Sequence, residues 1–102
     1  MKNKVLIIQA NYYKDISTAL LKSAKNELKN FAKINVISVP GVFEIPVVIS
    51  KNLKKYDGFV ALGCVIKGQT PHFDFISKST TDAIMNISVE SSNPVGNGII
   101  TC

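Results

Sequence analysis

Phe59-Val60-Ala61-Leu62-Gly63-Cys64-Val65-Ile66 leads directly into Lys67-Gly68-Gln69-Thr70-Pro71-His72. The first eight residues are apolar on both sides of a strand, a pattern that suits a parallel sheet covered above and below. The next six are the grammar of a turn and a helix start, with Thr70 fit for the N-cap and Pro71 for the first helical position. Beyond them Phe73, Ile76, Thr80, Ile84, Ile87 and Val89 carry an apolar stripe at helical spacing to about Ser91, and Asn93-Pro94 breaks it. A buried strand, a long helix and then Val95 to Thr101 (VGNGIIT) as another strand make a crossover unit.

The same unit repeats upstream. Lys4 to Ala10 (KVLIIQA) is a β-branched and aliphatic strand, followed by Ile16, Ala19, Leu20, Ala24, Leu28 and Phe31 at helical spacing, with Asp15 or Ser17 as the expected cap. Asn35 to Val39 (NVISV) is the second strand, stopped by Pro40-Gly41. Phe43-Glu44-Ile45-Pro46 starts another helix, with Ile49 and Leu53 on its buried side and Tyr56-Asp57-Gly58 closing it. Strand, helix, strand three times over predicts an α/β three-layer sandwich around a parallel sheet, one domain over residues 1–102. The last strand runs to Cys102 with no helix behind it, so one side of the sheet is expected to be covered by a neighbouring chain or by further residues.

Composition narrows the function. The 102 residues are 46% hydrophobic and 19% charged, enough for a packed core and unlike a disordered chain. The longest apolar stretch, Phe59 to Ile66, is far shorter than the roughly 20 residues of a membrane-spanning helix. Met1-Lys2-Asn3-Lys4 is followed by too short an apolar run for a signal peptide, so a cytoplasmic protein is expected. The net charge of +5 comes from twelve lysines and no arginine, spread along the chain at Lys22, Lys25, Lys29, Lys33, Lys51, Lys54 and Lys55. That distribution reads as a solvated surface and not as a nucleic-acid site. Cys64 and Cys102 lack metal-ligand spacing and are expected to be reduced thiols.

Open parallel sheets bind ligands at the carboxyl ends of their strands, where loops and helix N-termini converge. Three loops qualify. Asn11-Tyr12-Tyr13 offers a ring to stack on a flat heterocycle or to pack against another chain. Pro40-Gly41-Val42-Phe43-Glu44 presents backbone groups and a carboxylate that either binds ligand or merely suits the helix dipole. Lys67 to His72 combines a glycine, a cation, a helix start and the one histidine, which fits a phosphate ester beside a proton-transfer group; ordinary helix capping gives the same pattern.

VPGVFEIPVV (Val39 to Val48), YDGFVALGCVIKGQTPHFDFI (Tyr56 to Ile76) and NPVGNGIIT (Asn93 to Thr101) together resemble the lumazine synthase family of riboflavin biosynthesis. The resemblance implies a flavodoxin-like sheet and a homopentamer, or a shell of pentamers, with each active site shared between adjacent subunits. It implies a transferase that condenses 5-amino-6-(D-ribitylamino)uracil with 3,4-dihydroxy-2-butanone 4-phosphate. The products are 6,7-dimethyl-8-ribityllumazine, phosphate and water, and no metal or cofactor takes part.

Residue by residue, Tyr12 matches the ring that stacks on the pyrimidine. Val42, Phe43 and Glu44 match the segment on the ribityl chain and ring. Cys64, Val65 and Ile66 match the strand end on the uracil, and Gly68, Gln69 and Thr70 the phosphate loop. His72 matches the proton-transfer histidine. Asn97 stands where many members have phenylalanine on the uracil, and Lys67 where arginine is more usual. Family chains continue past the last strand with two helices, the first bearing an arginine that grips phosphate, so this chain is expected to be C-terminally short. A non-catalytic module binding a flavin or lumazine, or a vestigial shell subunit, are the competing readings.

Overall fold

The structure is a computed structural model that describes residues 3–11, 13–65 and 73–101. Strands β1 (Asn3–Ala10), β2 (Ala32–Val39), β3 (Gly58–Val65) and β4 (Val95–Thr101) form one sheet in the order β2-β1-β3-β4, and every pairing is parallel. Helices α1 (Lys14–Leu28), α2 (Ile45–Asn52) and α3 (Phe73–Ser91) fill the three crossovers, and a short 3-10 turn, Val42–Glu44, precedes α2. The expected α/β architecture is therefore observed.

Alternation along the strands sorts the two faces. Leu6, Ile8 and Ala10 of β1 point the same way as Val39, Phe59, Ala61 and Val65, and they form one buried cluster with Val42, Ile45, Ile49 and Ile84. This is the face under α2 and α3. Ile7 and Leu62 point the other way and are also buried, on the side where α1 contacts β1, β2 and β3. Among the described residues α1 is the helix on that side; Ile16, Leu20, Ala24 and Leu28 of its expected stripe are half-buried, Ala19 is exposed, and Ile100 of β4 is 40% exposed there.

Several local expectations are corrected. Helix α1 stops at Leu28 and not at Phe31, whose N–H closes a tight turn on the Leu28 carbonyl at 2.9 Å while its ring is 72% exposed. Strand β2 consequently starts at Ala32, three residues before the expected Asn35, since Ala32 is already in register with Asn3. Neither Asp15 nor Ser17 caps α1: Tyr13 holds the N-cap position, its side chain making no capping bond to the helix, Asp15 lies in the first turn, and buried Ser17 donates to the Ala10 carbonyl at 2.7 Å. That bond pins the helix to the end of β1.

On α3, Ile76, Thr80, Ile84 and Ile87 do face the core, but Val89 is 70% exposed. Two residues beyond Ile87 is about 200° around a helix, so both cannot share one stripe. The helix ends through Ser92, the described non-glycine residue with positive φ, 59°. Around it the Ser88 hydroxyl donates to the Asn93 carbonyl at 2.9 Å, and the Asn93 side chain reaches the Leu53 carbonyl at 3.3 Å. The cap residues expected for that helix, Thr70 and Pro71, lie outside the described residues.

Candidate functional site at the carboxyl edge of the sheet

Parallel pairing brings the ends of all four strands to one edge, and the loops after β1 and β2 are joined there. The Asn11 N–H donates to the Val39 carbonyl at 3.0 Å, extending the ladder one residue past Ala10. Immediately afterwards Pro40-Gly41 turns the chain over the sheet, and the Glu44 N–H returns to the Gly41 carbonyl at 3.2 Å to close the 3-10 turn.

Val42 anchors this turn. It is 6% exposed and packs over Gly63 near the carboxyl end of β3, where a Cβ would lie 2.5 Å from Val42 Cγ1 and 3.2 Å from Ala10 Cβ. Only a glycine leaves room for a side chain descending onto the strand so closely. The glycine thus acts as a socket, and the valine fixes where its neighbours stand. Phe43 is left 51% exposed, and the Glu44 carboxylate folds back until one oxygen is 3.2 Å from the position a Cβ on Gly41 would take. Ile45 and Ile49 then bury the first turns of α2, and Pro46 sits where its missing N–H needs no partner.

Of the sequence-predicted residues, Val42, Phe43, Glu44, Cys64 and Val65 come together at this edge. Val65 is buried on the face of Val42, while half-buried Cys64 points to the α1 side, so the two offer a ligand their shared backbone more readily than their side chains. Asn97 is not gathered with them. It lies on the outer strand in register with Ala61, four residues short of the Thr101–Val65 pair, and is exposed. Its Oδ1 accepts the Ile99 N–H at 3.0 Å, which satisfies a donor on the open side of β4. Tyr12, Ile66, Gly68, Gln69, Thr70 and His72 lie outside the described residues.

Gly63 is the participant that the chemistry-bearing motifs did not single out; its signal is a lone glycine inside an otherwise continuous apolar strand. Gln9 is a second. Its Nε2 donates to Ser38 Oγ at 2.9 Å, while its Oε1 is buried without a partner beside a cavity that Asn11 and Lys14 also line. Among the described residues, no group of three or more His, Cys, Asp or Glu side chains is arranged to hold a metal ion, and no helix is long and apolar enough to cross a membrane.

A carboxylate and an exposed aromatic ring beside the strand ends can serve a ligand that has both hydrogen-bond donors and apolar surface. The family model described as 6,7-dimethyl-8-ribityllumazine synthase matches residues 2–102. The chain belongs to that family. It is 45% identical to the 6,7-dimethyl-8-ribityllumazine synthase of Agrobacterium fabrum across 98% of this chain and 73% of that protein. Against the synthase of Bartonella tribocorum it is also 45% identical, over 98% of this chain and 69% of the relative. The synthase of Corynebacterium kroppenstedtii shares 43% identity over 97% of this chain and 63% of its own length. Members of the lumazine synthase family are transferases of riboflavin biosynthesis, the class that the sequence resemblance implied.

Proposed function

We propose that this chain carries out the family's condensation of 5-amino-6-(D-ribitylamino)uracil with 3,4-dihydroxy-2-butanone 4-phosphate at the carboxyl edge of the sheet. The observation that carries the reading is the seating of Val42 on Gly63, which holds Phe43 and Glu44 beside the end of β3. Glu44, an acceptor, takes hydroxyl donors of the ribityl chain, and Phe43 packs along it. Tyr12 stacks on the pyrimidine. The backbone of Cys64, Val65 and Ile66, where β3 runs out at its carboxyl end, hydrogen-bonds the uracil edge.

The phosphate of the second substrate binds at Gly68, Gln69 and Thr70, a glycine-containing segment leading into a long helix. His72 moves the protons. The primary amine attacks the ketone, forming a C–N bond, and water leaves to give the imine. The C–O bond to phosphate then breaks with loss of a proton from carbon, and attack by the ribityl-bearing nitrogen closes the second ring with further loss of water. Every step needs two substrates held in register and protons passed between nitrogen, carbon and oxygen. An imidazole, with an ordinary pKa near 6.5, both accepts and donates near neutral pH.

The assembly is a homopentamer, or a shell of pentamers, in the cytoplasm, with sites completed between subunits. Exposed Val47, Met85 and Val89 on α2 and α3, and Ile100 on β4, support apolar contacts between copies. Asn97, exposed on the free edge of β4 and about 13 Å along the strand from the carboxyl end, then serves the site of an adjacent subunit. The test is direct: incubating the protein with both substrates yields lumazine fluorescence and stoichiometric inorganic phosphate. Binding of the aminopyrimidine without either product overturns the catalytic reading.

A further inference from the structure

The amino end of the sheet, opposite the candidate active site and roughly 20 Å from it along β1, holds a cleft of about 410 Å³. It is lined by Lys4, Lys33, Asn35, Lys54, Lys55 and Tyr56. Four of these six residues are cations, although lysines are otherwise spread over the whole chain. The fold brings them together from three places: Lys4 is the second residue of β1, Lys33 the second of β2, and Lys54 and Lys55 occupy the turn after α2.

The pairing register makes the concentration of charge acute. Lys4 is directly opposite Lys33 on the neighbouring strand, a like-charge pair that costs stability wherever nothing neutralises it. Among the described residues the ion pair present is Lys78 with Asp82 on α3, and none of the four cleft lysines belongs to one. The adjacent acid, Asp57, is committed to the backbone: its carboxylate accepts the Lys4 N–H at 2.8 Å, and its own N–H donates to the Lys4 carbonyl at 2.8 Å.

The walls are held in place by bonds that do not involve the lysine heads. The Asn35 side-chain amide donates to the Tyr56 hydroxyl at 2.8 Å, and the Tyr56 ring stands edge-on to Phe59 with centroids 6.0 Å apart. The Lys55 N–H closes a turn on the Asn52 carbonyl at 3.0 Å. A braced polar wall ringed by exposed lysines is suited to phosphate, which lysine recognises as a point charge.

We infer that this cleft is an anion site for a small ligand carrying more than one phosphate, distinct from the substrate phosphate position at Gly68 to Thr70. The four lysines outnumber the one adjacent carboxylate, Asp57, by three, which calls for a ligand of about three negative charges, more than a single phosphate carries near neutral pH. The cleft has the volume of a small-molecule site.

The experiment titrates the full chain with inorganic pyrophosphate at low ionic strength, following binding by calorimetry and the Asn35 side-chain amide by NMR. Lys33→Glu and Lys54→Glu are compared with Lys22→Glu on α1, which makes the same change in net charge away from the cleft. The expected result is a pyrophosphate-dependent shift of the Asn35 amide, binding weakened at least tenfold in both cleft variants and less than twofold in Lys22→Glu, and progressive loss with added salt. Equal weakening in all three variants, an unmoved Asn35 resonance in the wild-type protein, or tighter binding of a polyglutamate peptide than of pyrophosphate overturns the proposal.

Discussion

Replacing Gly63 by alanine tests whether the site is built by one valine in one glycine socket. The added Cβ would stand 2.5 Å from Val42 Cγ1, and ordinary contact begins near 3.4 Å, so the valine must retreat by about 0.9 Å. It has no open space into which to move, being 6% exposed and enclosed by the main core cluster. Overpacking of this kind costs about 1–3 kcal/mol, and for a chain of this size each kcal/mol lowers Tm by roughly 4–8 °C.

Val42→Ala alone removes two buried methyl groups, a loss of about 1.5–2.5 kcal/mol once the cavity is included. In the double variant the truncated side chain makes room for the new methyl, so the two losses do not add. The expected coupling is at least about 1 kcal/mol, against about 0.5 kcal/mol for independent sites. Urea denaturation of the four proteins at one concentration measures it, and initial rates with varied aminopyrimidine measure its effect on the site. KM for the aminopyrimidine should rise in Gly63→Ala and recover part-way in the double variant. Additive stabilities, or a KM unchanged in Gly63→Ala, refute the socket.

Three further outcomes follow from the same reasoning. His72→Ala lowers turnover by about 10- to 1000-fold, the range for loss of a general acid-base group, while far-UV circular dichroism is unchanged; wild-type turnover removes the imidazole from the chemistry. Ser92→Gly relieves a left-handed backbone at φ 59° and raises the urea midpoint, by about 0.5–1 kcal/mol of stability, provided the surrounding Ser91 and Asn93 bonds persist; a lower midpoint contradicts strain at that turn. Asp57→Ala removes the carboxylate that receives the Lys4 N–H and destabilises by about 0.5–1.5 kcal/mol, with amide exchange at Lys4 accelerating; unchanged exchange contradicts the bond's contribution.

The layer order and the direction of the strands were legible because burial on both faces leaves a signature that residue type alone transmits. Gly58 to Val65 is buried or half-buried throughout, as its unbroken apolar run implies. Where the signature weakened, boundaries slipped. Phe31 looked like the last rung of α1 because an aromatic at the right spacing suggests a core position, yet the turn at Leu28 leaves it in solvent. Conversely Ala32 and Lys33 are poor strand residues by type and extend β2 only because β1 offers them a ladder. Ser17 shows the same override, being held in the core by its bond to the carbonyl of Ala10 and not by the helix end it was expected to cap.

The site was legible in a different way. A carboxylate, a ring and a glycine loop announce their chemistry by residue type, whereas the residue that positions them announces only an absence. Gly63 has no side-chain donor, acceptor or charge, and its meaning depends on Val42, 21 positions upstream, descending onto it. Gly98 on β4 is a comparable case: a Cβ there would meet Leu62 Cδ2 at 2.8 Å, so the glycine lets β4 lie against β3 with Leu62 buried. In both instances a side chain from one element occupies space that the facing strand has given up. Geometry at the carboxyl edge is therefore set from within the sheet, and substitutions at these silent positions should shift substrate affinity without touching any group that contacts substrate.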